Sequence, residues 1–383
     1  MGADRRQFLK QAAAAYAALG VGAASAQGRR GGMPLTESQK TVGYKRIATE
    51  EAWGPPELFD EWRKVLAAQP ADEPGFEALW RGMSGSAKSP FEKRLTDIGE
   101  GRIADMDAVG VDMQVLSLTS PGVQVFDADK ATALAASSND RLAEAVRKYP
   151  DRFAGLIAIA PQDPVRAAKE IERGMTKLGL HGIIVNSHTK DHYLDEKQFT
   201  PIWEAAEAYN APIYIHPRAP SSGMLKPFIE NNRDLLRGDL GFSVEVELHT
   251  LAIINAGIFD RFPKATVVIG HGGENIPYNL FRLDATYRVR RPPTKSKNPP
   301  SYYMKNNVYI TNSGVAWAPA VQFAQHVLGV DRVLYAMDYP YEYVAEEVKI
   351  LDAMPINYED KKAFYQTNAE RVFNLNKNRA AAG

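Results

Sequence analysis

Tyr214-Ile215-His216-Pro217-Arg218 is the stretch of sequence that decides the fold. It follows Ala211-Pro212, a turn signal, and begins with an apolar run that predicts a buried strand. Because a proline cannot extend a central strand, Pro217 ends this one and keeps His216 extended. An imidazole at a strand end is well placed to face a pocket, but a structural, hydrogen-bonded histidine fits the same pattern. What His216 does therefore depends on which residues end the other strands.

The same pattern recurs along the chain, where strand-like and helix-like segments alternate from Lys45 to about residue 377. The predicted strands are residues 45–50, 113–118, 153–160, 182–185, 213–216, 265–270, 306–311 and 332–336. Short apolar strands alternating with helices predict an α/β protein with one (β/α)8 TIM-barrel domain over residues 45–377. A doubly wound open sheet is the alternative. It would require a glycine-rich phosphate turn after an early strand, and the sequence has none.

Composition narrows the classes of function. The chain has 383 residues, of which 45% are hydrophobic and 24% charged, a globular profile. The formal net charge is zero and no long basic run occurs, which argues against nucleic acid as a partner. The absence of cysteine excludes disulfides, thiolate metal sites and a cysteine nucleophile. Only seven histidines occur, so each one at a strand end is informative.

The first 26 residues predict a twin-arginine export signal. Arg5-Arg6 precedes an alanine-rich apolar stretch, and Ala24-Ser25-Ala26 is a small-residue cleavage pattern. An N-terminal anchoring or amphipathic helix is the alternative, although the apolar stretch is too short for a stable membrane span. We therefore expect a periplasmic or otherwise exported protein. Residues 27–44 are predicted as a flexible linker and residues 378–383 as a disordered tail.

Four side chains with metal-binding or acid–base chemistry follow different strands. Glu50 ends the first predicted strand, His216 the fifth, His271 follows the sixth and Asp338 the eighth. Active sites of such barrels lie at the C-terminal ends of the strands, so these residues are expected to converge at one mouth. Two carboxylates and an imidazole suit zinc, manganese or a similar divalent ion. Each residue alone also fits a helix cap or an arginine partner, so the prediction rests on their joint occurrence.

Several motifs extend this pattern. They are Glu50-Glu51-Ala52-Trp53, His216-Pro217-Arg218, Gly270-His271-Gly272-Gly273-Glu274 and Asp338-Tyr339-Pro340-Tyr341-Glu342. Together they resemble the amidohydrolase-related decarboxylases. These enzymes are metal-dependent, non-oxidative decarboxylases of hydroxybenzoates and of aminocarboxymuconate semialdehyde. The resemblance covers roughly residues 45–377, and it is more specific to the superfamily than to one substrate.

The resemblance implies roles for the matching residues. Glu50, His216 and Asp338 look like the metal ligands, with zinc expected and manganese as the alternative. Asp338 also looks like the proton donor to the ring carbon that loses carbon dioxide. His271 looks like its catalytic partner, with Glu274 close behind it.

Substrate contacts and partners follow from the same resemblance. Arg282 falls where the family places an arginine near the substrate, reaching across a subunit interface. Independently of the resemblance, Trp53 and Phe or Tyr side chains near the mouth are expected to form an aromatic-lined slot for the substrate. Family members are commonly dimers or tetramers, so we expect a homo-oligomer acting on a small carboxylic acid. His249 lies four residues after Glu245 on a predicted helix, and a hydrogen bond from that helix to the barrel is the favoured role.

One position departs from the family pattern. The family usually has a histidine two residues after the first-strand glutamate, and this sequence has Ala52. The loss would weaken metal binding, leave a position for substrate or water, or mark an inactive relative. The leading prediction is decarboxylation of an aromatic hydroxy acid or a related unsaturated acid. The alternatives are metal-dependent hydrolysis of a lactone, ester or amide, and a non-catalytic exported ligand-binding barrel.

Overall fold

A computed structural model describes residues 36–68, 73–80, 90–290 and 294–376. The strands in this part are β1 (Ile47–Trp53), β2 (Met113–Leu118), β3 (Phe153–Gly155), β4 (Ile157–Ala158), β5 (Ile183–Asn186), β6 (Ile213–His216), β7 (Val267–Ile269), β8 (Val308–Thr311) and β9 (Val333–Leu334). Each pairs in parallel with its neighbour, in the orders β1-β2-β3 and β4-β5-β6-β7-β8-β9. Strand order in space therefore follows strand order in the chain.

The two groups of strands form one closed ring. β3 pairs with β2 and β4 pairs with β5, so β3 and β4 are successive parts of one barrel strand. The last strand meets the first, since Thr49 N–H donates to Tyr335 O (3.0 Å) and Ala52 N–H donates to Tyr339 O (2.8 Å). Eight strand positions result. The predicted (β/α)8 barrel is confirmed, and the open doubly wound sheet is wrong.

Helices connect the strands and pack around the ring. They are α1 (Glu37–Thr41), α2 (Pro56–Ala68), α3 (Pro74–Trp80), α4 (Pro90–Thr96), α5 (Glu100–Val109), α6 (Ala128–Lys148), α7 (Pro164–Arg173), α8 (Thr200–Ala208), α9 (Ser222–Asn231), α10 (Gly241–Asn255), α11 (Ile258–Arg261), α12 (Ile276–Val289), α13 (Pro300–Asn306), α14 (Ala318–Leu328), α15 (Glu347–Asp352), α16 (Tyr358–Lys362) and α17 (Asn368–Val372). Because helices cover the strands on one side and side chains fill the barrel on the other, the strands are buried on both faces. This explains their continuous apolar runs.

Buried Arg102, on α5, joins the two strands that carry the acidic residues of the predicted site. Its guanidinium donates to Ala52 O (2.7 Å) and Asp97 O (2.7 Å) and lies over the Tyr339 ring, 4.6 Å from the centroid. A guanidinium has five N–H donors, so one side chain can satisfy several buried carbonyls. Arg102 thereby fixes the exit of β1 against the segment that follows β9.

The structure differs from the predicted boundaries at the start of the barrel. The first strand continues to Trp53 instead of ending at Glu50, because Glu51 to Trp53 still pair with β2. Within the predicted linker, residues 37–41 form α1, whose capping box joins Thr36 and Gln39. Residues 1–26 and 378–383 lie outside the described residues. Among the described helices, none is both long and apolar enough to cross a membrane.

Candidate metal and substrate site

Glu50, His216 and Asp338 come together at the mouth of the barrel. Each is buried and offers one donor atom, and these atoms all lie within 4.8 Å of one another. Glu50 Oε1 lies 3.3 Å from His216 Nε2 and 3.4 Å from His271 Nε2. The structure thus brings together the three residues predicted as ligands, with His271 beside them.

The two carboxylate oxygens of Glu50 have different environments. Oε2 accepts hydrogen bonds from the Tyr214 hydroxyl and from Thr311 Oγ1, the latter at 3.3 Å. Oε1 is buried and accepts no hydrogen bond from the described residues. A buried acceptor without a donor is unfavourable, and its ionic neighbours here are imidazole nitrogens. A bound cation would satisfy Oε1, so the position fits a metal ligand.

His216 has the tautomer that a metal ligand needs. Its Nδ1 lies 2.8 Å from Pro217 O, and because a carbonyl can only accept, Nδ1 carries the proton. Nε2 therefore presents its lone pair to Glu50 and Asp338. Burial lowers the pKa of His216, although Glu50 opposes this effect, and the neutral imidazole is the form that binds metals.

Asp338 lies in a strained and strongly acidic setting. Its φ of 56° is in the left-handed region, which non-glycine residues rarely adopt and which often marks functional positions. Burial, and then the neighbouring Glu50 carboxylate, raise the pKa of Asp338 well above its usual value. Crowded buried carboxylates call for a compensating cation. The donor set of two carboxylates and one neutral imidazole therefore fits a divalent metal ion.

Glu51 holds the backbone around Asp338. It points away from Glu50, and its carboxylate accepts hydrogen bonds from Met337 N (2.9 Å) and Tyr339 N (3.3 Å). These amides belong to the residues immediately before and after Asp338. The second acidic residue of β1 thus positions Asp338 without facing the site.

His271 forms a polar chain with the residues behind it. Its Nδ1 lies 2.9 Å from Glu274 Oε1, and Ser243 Oγ donates to Glu274 Oε2 at 2.6 Å. Burial alone would lower the pKa of His271, but the carboxylates of Glu50 and Glu274 raise it well above its usual value. The protonated imidazolium is therefore favoured beside Asp338 and Glu50. Glu274 lies behind His271, as the sequence predicted.

A cavity of about 390 Å³ opens over these residues. Its volume is in the range of small-molecule sites. The walls are mainly apolar and aromatic, and the described residues that form them include Leu79, Trp80, Phe91, Phe242 and Tyr341. His216, His271 and Asp338 lie along the same cavity. The arrangement fits a flat, aromatic ligand that carries oxygen donors on one edge.

Trp53 and Arg282 are not placed on this cavity. Trp53 is 1% exposed and is not among the residues that line the cavity. The aromatic wall comes from Trp80 and Tyr341 instead. Arg282 lies on the exposed surface of α12 and does not line the cavity of its own chain.

Three residues of the site were missed by sequence reasoning. Tyr214 precedes His216 by two residues and so shares its strand face, a signal that could have identified it. Thr311 is the last residue of β8, where the same rule of strand ends applies. Gly270 follows β7, and a Cβ there would overlap Glu50 Oε2. No sequence pattern reveals that overlap, because it depends on the packing of two distant strands.

His249 makes the predicted bond from its helix to the barrel. Its Nδ1 lies 3.2 Å from Ser187 Oγ, just after β5, and its Nε2 accepts from Leu194 N at 3.0 Å. Ser187 Oγ donates in turn to Glu245 Oε1 (2.8 Å). Burial lowers the pKa of His249 to about 3, so the ring stays neutral. This network supports the loops around the site.

A closed barrel with a divalent-metal donor set at its mouth is an architecture found in metal-dependent barrel enzymes. The sequence profile of the family described as Amidohydrolase matches residues 79–375. The chain therefore belongs to the amidohydrolase family, and the resemblance seen in its motifs is confirmed.

Several relatives of this chain are decarboxylases. The chain is 33% identical over 296 residues to gamma-resorcylate decarboxylase from Polaromonas sp. (strain JS666 / ATCC BAA-500), which covers 75% of this chain and 90% of that protein. It is 47% identical to 5-carboxyvanillate decarboxylase from Novosphingobium aromaticivorans DSM 12444, solved with manganese and 4-hydroxy-3-methoxy-5-nitrobenzoic acid. That match covers 87% of this chain and 97% of the other, with a TM-score of 0.83. The 5-carboxyvanillate decarboxylase of Sphingomonas paucimobilis is 40% identical over 86% of this chain and 99% of the other, with a TM-score of 0.81.

Replacing Gly270 by alanine should weaken the binding of a divalent metal ion. The new methyl group would overlap Glu50 Oε2 and turn the carboxylate away from His216. We expect manganese affinity to fall about tenfold or more, measured by isothermal titration, since 1.4 kcal/mol is a factor of ten in a binding constant. Gly223→Ala is the matched control, because no atom lies within 4 Å of its new Cβ. Unchanged affinity in Gly270→Ala would contradict the position assigned to Glu50.

Proposed function

We propose that this chain is a metal-dependent, non-oxidative decarboxylase of an aromatic hydroxy acid. The observation that carries the proposal is the convergence of Glu50, His216 and Asp338 beneath an aromatic-walled cavity. Kinship with decarboxylases over most of the chain supports the same reaction. Glu50, His216 and Asp338 are the proposed ligands.

Manganese is the proposed metal, in preference to the zinc expected from sequence. Two of the three ligands are carboxylates, and hard oxygen donors suit manganese. A solved relative, 47% identical, contains manganese. When bound, the cation would act as a Lewis acid on the substrate's oxygens and orient the ring.

The protein's own residues would then move the proton. The Asp338 carboxyl group delivers a proton to the ring carbon that carries the carboxylate. The bond from that carbon to the carboxylate then breaks, its electron pair restores the aromatic ring, and carbon dioxide leaves. His271, held by Glu274, places positive charge beside the anionic substrate. Asp338 regains its proton before the next turnover.

The substrate class we propose is an ortho-hydroxybenzoate with a second acidic group on the ring. The greater identity to 5-carboxyvanillate decarboxylase than to gamma-resorcylate decarboxylase supports a dicarboxylate. Arg237 is the one arginine or lysine among the described residues that line the cavity, and its guanidinium suits a carboxylate. Both 5-carboxyvanillate and gamma-resorcylate belong in the assay, with a lactone beside them. Lactone hydrolysis without carbon dioxide release would favour the hydrolase alternative. If none of these compounds is turned over, the non-catalytic ligand-binding barrel is favoured.

Asp338→Asn should abolish decarboxylation while the barrel stays folded. An amide cannot donate the proton, and general acid catalysis typically contributes ~10²–10⁴-fold, so kcat should fall at least about 100-fold. Carbon dioxide release is measured at saturating manganese, so that weaker metal binding does not limit the rate. Asp129→Asn, an exposed change on α6, is the control and should keep full activity. Substantial turnover in Asp338→Asn would exclude this role for Asp338.

A second copy of this chain is the proposed partner for the outer face of α12. Tyr278 and Phe281 are 81% and 84% exposed, and Val289 is 73% exposed, which is unusual for large apolar side chains. Tyr278 also contacts Phe323 on α14, with ring centroids 6.2 Å apart. Arg282 lies beside Phe281 and would approach the substrate of the neighbouring subunit, since it does not reach its own cavity.

Phe281→Glu should therefore dissociate the oligomer. A charge placed within an apolar interface loses its hydration without gaining a partner. We expect the mass measured by light scattering to fall to that of one chain. The matched control is Val165→Glu, which is 57% exposed on α7 and should keep the wild-type mass. If wild type and Phe281→Glu have the same mass, α12 is not the interface.

A further inference from the structure

Arg218, two residues after His216, is buried but does not face the metal ligands. Its side chain is 2% exposed and forms an ion pair with Glu73, which is 3% exposed. Arg218 Nη2 donates to Glu73 Oε2, and Arg218 Nη1 donates to His188 O at 3.0 Å. The proposed reaction uses neither residue. A fully buried ion pair this close to His216 therefore needs a different explanation.

Glu73 belongs to a short segment that covers the cavity. We define the roof segment as Glu73 together with α3, residues 73–80. Leu79 and Trp80, at its far end, line the cavity. Phe76 and Trp80 pack on Trp62 of α2, with ring centroids 5.7 Å and 4.6 Å away. The roof segment thus supplies two of the apolar walls that would contact a substrate ring.

The near end of the roof segment rests on the residues that follow β6. A Cβ on Gly75 would lie only 2.6 Å from Ala219 Cβ, so glycine permits this close approach. The adjacent Arg218–Glu73 ion pair is buried, with side chains only 2% and 3% exposed. Removing either charge alone would leave the other buried without its counter-ion, which is why such pairs fix geometry strictly.

The Arg218 side of the ion pair is firmly held. His188 Nε2 donates to Ala219 O at 3.1 Å, and its Nδ1 accepts from Asp191 N at 3.2 Å. Ser222 N donates to Asp191 Oδ1 at 2.8 Å. These bonds join the loops after β5 and β6 into one platform. Glu73 is thus attached to a platform that also carries His216.

We propose that Arg218 and Glu73 are a positioning pair that fixes the roof segment over the cavity and so sets the affinity for the aromatic substrate. Arg218 lies two residues after the proposed ligand His216. Its ion pair with Glu73 therefore connects the metal site to the segment whose Leu79 and Trp80 form a wall of the cavity. If Leu79 and Trp80 are already held in place, less conformational entropy is lost when the aromatic ring binds. This inference rests on the proposed function only for the identity of the substrate, because the position of the roof segment can be measured without turnover.

The test replaces both charges together, so that neither is left buried alone. In Arg218→Met/Glu73→Leu we expect KM for the aromatic acid to rise about tenfold, kcat to change less than about twofold, and bound manganese to stay the same. Amide hydrogen exchange in residues 74–80 should become at least about tenfold faster. Glu73→Asp keeps the negative charge opposite Arg218 but shortens the side chain, and it should show a smaller change in both KM and exchange. It also provides a second variant if the double replacement does not fold.

The control is another arginine ion pair, in which Arg46 is buried just before β1 and Asp352 is partly exposed at the end of α15. Arg46 Nη2 lies 2.7 Å from Asp352 Oδ2. Arg46→Met/Asp352→Leu should lower the free energy of unfolding without changing KM or exchange in residues 74–80. The proposal would be overturned if amide exchange in residues 74–80 is unchanged in the Arg218 and Glu73 variants. It would also be overturned if the control variant shows the same changes in exchange and KM, or if the Arg218 and Glu73 variants lose manganese. If no acid is decarboxylated, the proposed function fails, and the exchange measurement alone decides on the positioning pair.

Discussion

The site depends on the different environments of the two carboxylate oxygens of Glu50. Tyr214 and Thr311 hold Oε2 from β6 and β8, and this leaves Oε1 directed towards the imidazoles of His216 and His271. Three strands must keep their register for this to happen, since a shift of one residue would turn these side chains away. The barrel fixes that register because every strand is paired on both sides. The fold and the metal site are therefore one structural problem.

Electrostatics explains why the residues around the site are held so tightly. Glu50 and Asp338 are buried together, and burial of like charges is unfavourable without a cation. Backbone amides bind Glu51, which in turn fixes the strained Asp338, and His271 is paired with Glu274. Left-handed φ values of 53° at His271 and 56° at Glu274 match the strain at Asp338. Strain at three polar residues of one site is typical of a preorganised active centre.

Sequence alone predicted the barrel and placed four polar residues at one mouth, because apolar runs mark strands and strand ends share that mouth. The choice of Glu50, His216 and Asp338 among them as ligands came from the family resemblance. The fifth predicted strand agrees with β6 to the residue. Trp53 does not line the cavity, so its contact with the substrate stays a prediction. Sequence reasoning could not find Gly270 or Ser243, whose roles arise from contacts between segments far apart in sequence. For Arg282, the prediction requires a second subunit, which the fold of one chain cannot supply.

Ala52 also acquires a clearer meaning. It is buried, and its backbone N–H donates to Tyr339 O where the last strand of the barrel meets the first. Three donor atoms remain close together without it, which favours the open coordination position among the sequence-based explanations.

The most direct measurement of the central claim is proton NMR of the product that the manganese-loaded protein forms from 5-carboxyvanillate in deuterium oxide. The account predicts release of carbon dioxide and one deuterium at the ring carbon that bore the lost carboxylate, with both abolished by a chelator. Release that persists without metal, or a product without deuterium at that carbon, would contradict it.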